Sequence, residues 1–427
     1  MLISEILRRM ADRRPRLAFR PTSRVVNSAA MNATFDPTQP LAAAPEPWDS
    51  TSQPSPRDGP PYHLTEMIAA EPDLAVRILE RLADPQGPAG RLAGEVGQAA
   101  SNGSPIVVTG CGTSEHAAQG VVEILREALR GAGLPAGPGT ILAAQALELA
   151  LDPPTAGLVI GISHEGASAA TNRALAAAAA GGARTALITA SGGSPGAQLV
   201  ETVVETVELD HSWCHTIGYV SPLVAAAAVG AHLASRPLDP GEVRALLASG
   251  SRDEPGAEAI AARLADSRTI LAVGSGADRP AARELVLKIE EAAWVPSAMR
   301  DLETFLHGHL PATDASTGLV LILTDREGRI DRVARARQAL AATAIIGVPA
   351  AAILARDLDG ELPPELTPAG RLLVDEAPSL PSPVAALLGT ATPLQLLTER
   401  ISRARGTNPD PIRRDDPVYR AAADATE

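Results

Sequence analysis

Lysine is all but missing from this sequence of 427 residues: of 37 basic side chains, only Lys288 is not arginine. Alanine, glycine, proline and arginine dominate, and aromatics make up 2%. GC-rich coding accounts for arginine over lysine in general, but not for the one lysine kept. Cysteine is nearly absent as well. Cys111 and Cys214 cannot build a disulfide framework, and with no C-x-x-C spacing they offer no zinc ligand set. A reducing, cytoplasmic setting is therefore expected. Clustered cations are missing outside the extreme N-terminus and the net charge is −13, which argues against nucleic acid as the main ligand. Long apolar runs are also missing. The alanine-rich stretch 174–190 is broken by Gly181, Gly182 and Arg184, so no membrane partner is expected.

What remains is a chain long enough for two domains, each with its own core. The first 24 residues carry seven arginines and two acids but no apolar segment of the secretory kind. They read either as a targeting segment or as the product of a start codon placed too far upstream, with Met31 as the alternative. Residues 31–61 are rich in Pro, Ser, Thr and Ala, and disorder is expected there. The folded part is expected to begin near Tyr62, with a helical stretch, HLTEMIAAEPDLAVRILERLA. Short apolar runs follow at 105–110, 157–163, 184–189 and 203–209, separated by helical segments such as 114–131 and 167–181. A second set lies at 269–275, 318–324, 343–349 and 371–376. Apolar strands alternating with helices indicate an α/β fold with parallel sheets covered on both faces. Two doubly wound, flavodoxin-like units in tandem are expected, at 62–248 and 256–405, with an extension at 1–61 and a tail at 406–427.

Two turns offer chemistry. TGCGTSEH (109–116) combines glycines with the hydroxyls of Thr113 and Ser114 where a strand meets a helix. That is either an anion cradle using free N–H groups of the helix, or a plain turn with Ser114 as N-cap. ISHEGASAATNRAL (162–175) repeats the design with Ser163, Gly166, Ser168 and Thr171. Such turns would converge at the carboxyl edge of one sheet, where ligands bind in this kind of fold.

These turns, followed by TALITASGGSPGAQLVETVVETVEL, resemble the sugar isomerase (SIS) domain family over about residues 62 to 419. The tandem arrangement is similar to the isomerase half of glucosamine-6-phosphate synthase, the amino-sugar-phosphate deaminases and the Amadori-product deglycases. The resemblance makes Thr113 and Ser114 of the first turn, and Ser163, His164 and Ser168 of the second, ligands of a small-molecule sugar phosphate. DHSWCHTIGYVSP (210–222) occupies the place of a substrate-contacting segment, with Thr216 and Cys214 as candidates. A third match, LKIEEAAWVPSAMRDLETFLHGHL, reproduces the family's catalytic spacing: Lys288 three residues before Glu291, and His307 sixteen beyond it. Lys288 and Glu291, at i and i+3, share a helix face. The resemblance implies Glu291 as the base that moves a proton between C1 and C2, and His307 as the acid/base that opens the sugar ring. Lys288 would stabilise the enediolate or orient Glu291. It also implies a homodimer in which the His-bearing loop completes the neighbour's site. No cofactor is implied, and no metal is expected: of the other histidines only His211 and His215 stand at i, i+4 spacing, in a segment with no clear helix.

Three departures shape the expected activity. Asp415, Asp416 and Pro417 stand where the synthase has its imine-forming lysine. No glutamine-hydrolysing domain is read before Tyr62, so glutamine-dependent synthesis is not expected. Relatives usually place a serine or similar residue where this chain has Glu165, and a carboxylate beside phosphate repels by about 4 kcal/mol at about 4 Å in an effective dielectric of about 20. Glu165 must therefore turn away, stay protonated, pair with Arg173 or a histidine, or mark a ligand without phosphate there; turning outward or pairing is expected. An isomerase, deaminase or deglycase needing only Glu and His is the function expected; a non-catalytic sugar-phosphate sensor is the alternative.

Overall fold

The computed structural model describes residues 35–41 and 54–425. The sequence expectations for the rest of the first 61 residues lie outside them. Of that stretch, Leu41 donates its N–H to Glu208 (3.0 Å) and Arg57 bonds Glu66 (2.6 Å).

The first half runs α1 (His63–Arg81), α2 (Pro88–Ser101), β1 (Ile106–Gly110), α3 (Thr113–Gly131), β2 (Ile141–Gln145), α4 (Ala146–Leu151), β3 (Leu158–Ile162), α5 (Ala169–Gly181), β4 (Arg184–Thr189), β5 (Thr202–Glu205), α6 (Ile217–Leu233) and α7 (Pro240–Ser249). The second runs α8 (Glu254–Leu264), β6 (Thr269–Gly274), α9 (Asp278–Ala293), β7 (Ser297–Asp301), β8 (Thr317–Leu323), α10 (Arg329–Ile346), β9 (Ala350–Ala355), β10 (Gly370–Val374), α11 (Ser382–Arg405) and α12 (Pro417–Asp424). Both sheets are five-stranded and parallel, ordered β2-β1-β3-β4-β5 and β7-β6-β8-β9-β10. Numbered within each half, the order is the same, so the tandem α/β architecture is present in full.

Three strands differ from the sequence reading. TAIIGVP (343–349) is not a strand: α10 continues to Ile346 and stops at Gly347, whose φ of 87° is the left-handed C-cap that glycine favours. Ile345 is 89% exposed, so its β-branched side chain carried a strand signal from a solvent-facing helix position. The strand that follows, AAAILA, is fully buried; alanine has little intrinsic preference for strands, and burial in the sheet overrides that. Strands β2 (ILAAQ) and β7 (SAMRD) lack a run of β-branched or large apolar residues, which the other two edge strands, β5 and β10, retain.

The halves share a helical core. Helix α3 packs against α6, α9 and α11. A Cβ at Gly120 would lie 2.5 Å from Leu223 and 3.2 Å from Leu387, so α3 approaches α6 and α11 too closely there for any side chain. Helix α11 is buried from Pro383 to Ser402 apart from Ala385, as expected of a helix surrounded on all sides. No described helix is long and apolar enough to cross a membrane.

Candidate active site

Helix α9 explains the retained lysine. Leu285, Ile289 and Ala292 form its buried stripe, and Lys288 falls on that stripe at i+3 and i−4. Its side chain is 1% exposed. A bare ammonium there would cost several kcal/mol, so carboxylates must accompany it. The same helix supplies them: Glu291 Oε2 at 2.7 Å and Glu284 Oε1 at 3.5 Å. Burial works to lower the Lys288 pKa, but Glu291 and Glu284 outweigh it and hold it above the ordinary value.

The two carboxyls differ in character. Burial raises Glu291 above the ordinary glutamate range, and Lys288 only partly offsets this. Burial also works to raise Glu284, but Lys288, His116 and Thr113 together hold it below that range. Glu284 is thus a fixed anion and Glu291 a carboxylate poised to take a proton. Glu284 also joins the halves: His116 Nδ1 lies 2.8 Å from its Oε2, and Thr113 Oγ1 donates to its Oε1 at 3.3 Å. The first hydroxyl turn and the Lys–Glu helix therefore meet through one buried carboxylate. The sequence signal for Glu284 is its spacing of i−4 from Lys288, which puts both on one helix face.

Glu291 lines an open cavity of about 460 Å³ with Glu290, Trp294, Val295 and Pro296, and with Ile412, Arg413 and Tyr419 of the tail. The tail is held over the end of α9. Thr407 Oγ1 donates to the Ala292 carbonyl (2.7 Å), and Asp410 accepts from the His63 and Leu64 N–H groups (2.9 Å each) at the start of α1. Trp294, Ile412 and Arg413 have φ of 58°, 41° and 64°. These are three of the five non-glycine residues with positive φ among those described, and such strain persists only where surrounding contacts enforce it. Asp416 caps α12 through the Val418 N–H (2.8 Å), with Pro417 opening the helix.

At the first turn the helix begins at Thr113, and its N-cap is Gly112 at φ 56°, not Ser114. The N–H groups of Ser114, Glu115 and His116 donate to Cys111 and Gly112 carbonyls, so the turn consumes amides that an anion cradle would need. Hydroxyls are what it can offer. The second turn lies alongside, with Cys111 Sγ 3.7 Å from Thr171 Oγ1. There Ser163 Oγ donates to Ser168 Oγ at 3.3 Å, and Ser168, the exposed N-cap of α5, makes no capping bond.

His164 and Thr216 have different surroundings from those the sequence suggested. His164 Nε2 accepts the Asp210 N–H at 3.1 Å, and burial lowers its pKa, which favours the neutral ring that can accept. Asp210 in turn accepts from the N–H groups of Thr216, Ile217 and Gly218 (2.9, 3.1 and 2.8 Å) and from Thr216 Oγ1 (3.2 Å). Thr216 is fully buried. Asp210, unremarked in the sequence, fixes the start of α6, and His164 and Thr216 serve that anchor. Cys214 is buried against the Lys288–Glu291 cluster, and burial pushes its thiol well up.

Glu165 is partly buried and forms no ion pair with any described residue, Arg173 included. Burial and the Asp210 charge push its carboxyl up to about 7. Burial and Asp210 thus favour its neutral form, and no described partner pairs with it.

His307 stands apart from Lys288 and Glu291. Its side chain is 67% exposed, bonded through Nε2 to Glu303 Oε1 (2.7 Å), with Arg335 Nη2 at 3.3 Å. The chain brings Lys288, Glu291 and Thr113 together around Glu284, and His307 makes no contact with that cluster.

No protein-family model matches the chain, and no curated protein matches it. Solved structures do share its fold. The C-terminal domain of glucosamine-fructose-6-phosphate aminotransferase from Francisella tularensis superposes with a TM-score of 0.71 at 17% identity, covering 83% of this chain and 99% of that one. Tagatose-6-phosphate ketose/aldose isomerase from Escherichia coli gives 0.65 at 18%, covering 88% and 97%. Glucosamine-6-phosphate deaminase from Thermotoga maritima gives 0.58 at 15%, covering 82% and 96%.

Proposed function

We propose that this chain, which has the tandem fold of the sugar isomerase domain proteins, is a phosphosugar enzyme that moves a proton between C1 and C2 of an open-chain sugar. Glu291 is the base. Its raised pKa suits it to take a proton from one carbon and return it to the other. Lys288 holds its Oε2 and puts a positive charge beside the enediolate that forms. The hydroxyls of Thr113, Ser114, Ser163 and Ser168 receive the phosphate, while His164 and Thr216 position the loop that closes the first half. Isomerisation and loss of the amine from an amino sugar phosphate share this step, and the reading covers both. The Lys288–Glu291 contact of 2.7 Å at the wall of the cavity carries the reading.

His307 acts, in this reading, from a second copy of the chain, as the acid/base for ring opening. Its exposure beside Glu303 and Arg335 suits a loop that meets a partner. The same exposure is what a sensor reading would draw on, since a sensor has no use for an assembled proton shuttle. A panel of phosphorylated and unphosphorylated ketoses and amino sugars, scored for aldose, ketose and ammonia, separates the two. Turnover of phosphorylated members supports the enzyme; saturable binding with no turnover of any member contradicts it.

A further inference from the structure

We infer that residues 37–41, which lie ahead of α1, are a clamp that sets the Ser163–Ser168 turn, with Leu41 as its positioning residue. That the turn serves a phosphate rests on the function proposed above. The composition of this segment, PTQPL, reads as disordered, yet the structure ties it down. Leu41 is buried and donates its N–H to Glu208 Oε2 at 3.0 Å. The Thr38 carbonyl accepts from Arg77 Nη1 at 3.1 Å. Arg77 also holds Glu208, from Nε to Oε1 at 2.6 Å and from Nη2 to Oε2 at 2.8 Å. Glu208 is buried, and a buried carboxylate needs such donors. Among the described residues, Leu41 supplies the one donor that does not come from Arg77. Pro37 and Pro40 restrict the free segment, so ordering it costs less entropy than ordering an unrestricted chain.

What the clamp holds is a strained bend. Val207, next to Glu208, has a φ of 76°, a region that a β-branched residue enters only when its surroundings enforce it. The bend leads from β5 into the loop that carries Asp210. Its other contacts run to the second hydroxyl turn. The Val207 N–H donates to the Ala190 carbonyl (3.0 Å), and the Ala190 N–H to the His164 carbonyl (2.9 Å). Two residues beyond Glu208, Asp210 donates its N–H to His164 Nε2 and accepts from the first amides of α6. His164 follows Ser163 directly. A movement of Glu208 is thus passed to Ser163 through two sets of hydrogen bonds, one by Ala190 and one by Asp210. With Leu41 displaced, the bend at Val207 is free to relax, and the turn spends a smaller share of its time in the binding geometry. Affinity falls in proportion to that share.

The test is made in the full chain. Leu41→Asp puts a charge into the buried anchor beside Glu208, and Leu41→Met keeps the anchor apolar. Amide hydrogen exchange is read by mass spectrometry without ligand. In Leu41→Asp the amides at the start of α6, held by Asp210, should exchange at least about tenfold faster, while those of β8 in the other half stay within about twofold. Affinity for a ketohexose 6-phosphate, read by calorimetry, should fall at least about fivefold as the competent share falls. Leu41→Met should stay within about twofold of the native chain in both measurements. Equal acceleration in β8 would make Leu41 a residue of general stability. No acceleration would detach the segment from the Asp210 loop, and faster exchange with unchanged affinity would detach the loop from the turn. Each of these results overturns the clamp. A native chain that binds no sugar phosphate would count against the phosphate reading instead, and the exchange rates would still decide for or against the clamp.

Discussion

At the scale of residues, one buried ammonium organises two carboxylates. Lys288 sits where the apolar stripe of α9 demands a core residue, so its charge is tolerable only with Glu284 and Glu291 beside it. Lys288→Met should cost about 3–5 kcal/mol, because it leaves buried carboxylates without their cation; urea unfolding measures this. The same change removes the group that lowers Glu291, so the acid limb of any surviving activity should move to higher pH. An unchanged limb would mean that Lys288 does not set the base. Glu165 makes a second prediction. With its carboxyl near 7, it is neutral in mild acid and charged in mild base. Sugar-phosphate affinity should weaken from about pH 6 to about pH 8, and Glu165→Gln should remove that weakening, apart from the phosphate's own ionisation near pH 6, which both chains share. Coincident titrations would place Glu165 away from the phosphate. The identities of Lys288 and Glu291 were legible from their spacing. Asp210 was not, because it gains its role from a partner distant in sequence, His164, and the His116 contact of Glu284 was hidden for the same reason.

Among the elements, legibility followed runs of large or β-branched apolar residues. Strands β1, β3, β4, β6 and β8 are buried along nearly their whole length and read as apolar runs. The edge strands β2 and β7 gave no such run. Strand β9 is built of alanine and was displaced in the reading by the exposed end of α10. The segment carrying His307 raises a different matter. Gly308 turns it at φ 106°, and it meets α10 through Glu303 and Arg335 (2.6 Å), so it is presented outward from the second sheet. If each site draws Glu291 from one chain and His307 from the other, chains carrying Glu291→Gln and chains carrying His307→Ala should each be inactive alone. Mixed and re-equilibrated, they should recover about a quarter of wild-type sites, those in mixed dimers with both defects on one side. Titration of intact sites reads this directly. No recovery would confine each site to one chain.

Over the whole molecule, the repeat is equal in topology and unequal in chemistry. In the first half, the turn after β3 offers Ser163 and Ser168. The corresponding turn after β8 holds Asp325, whose Oδ2 accepts the Ala277 N–H (2.9 Å) and which pairs with Arg332. The second half therefore fills its own turn with a carboxylate and contributes α9 instead. Sequence alone showed the doubling. It could not show this division, because the division depends on which side chains fold back into their own turns. The central claim is that Glu291 exchanges a carbon-bound proton of a sugar held across the two halves. Its most direct measurement is the appearance of solvent deuterium at C1 or C2 of a hexose 6-phosphate, followed by proton NMR in heavy water. The native chain should introduce the label, and Glu291→Gln should slow it by at least about a hundredfold while ligand affinity is kept. Label entering at the native rate in that variant would contradict the account.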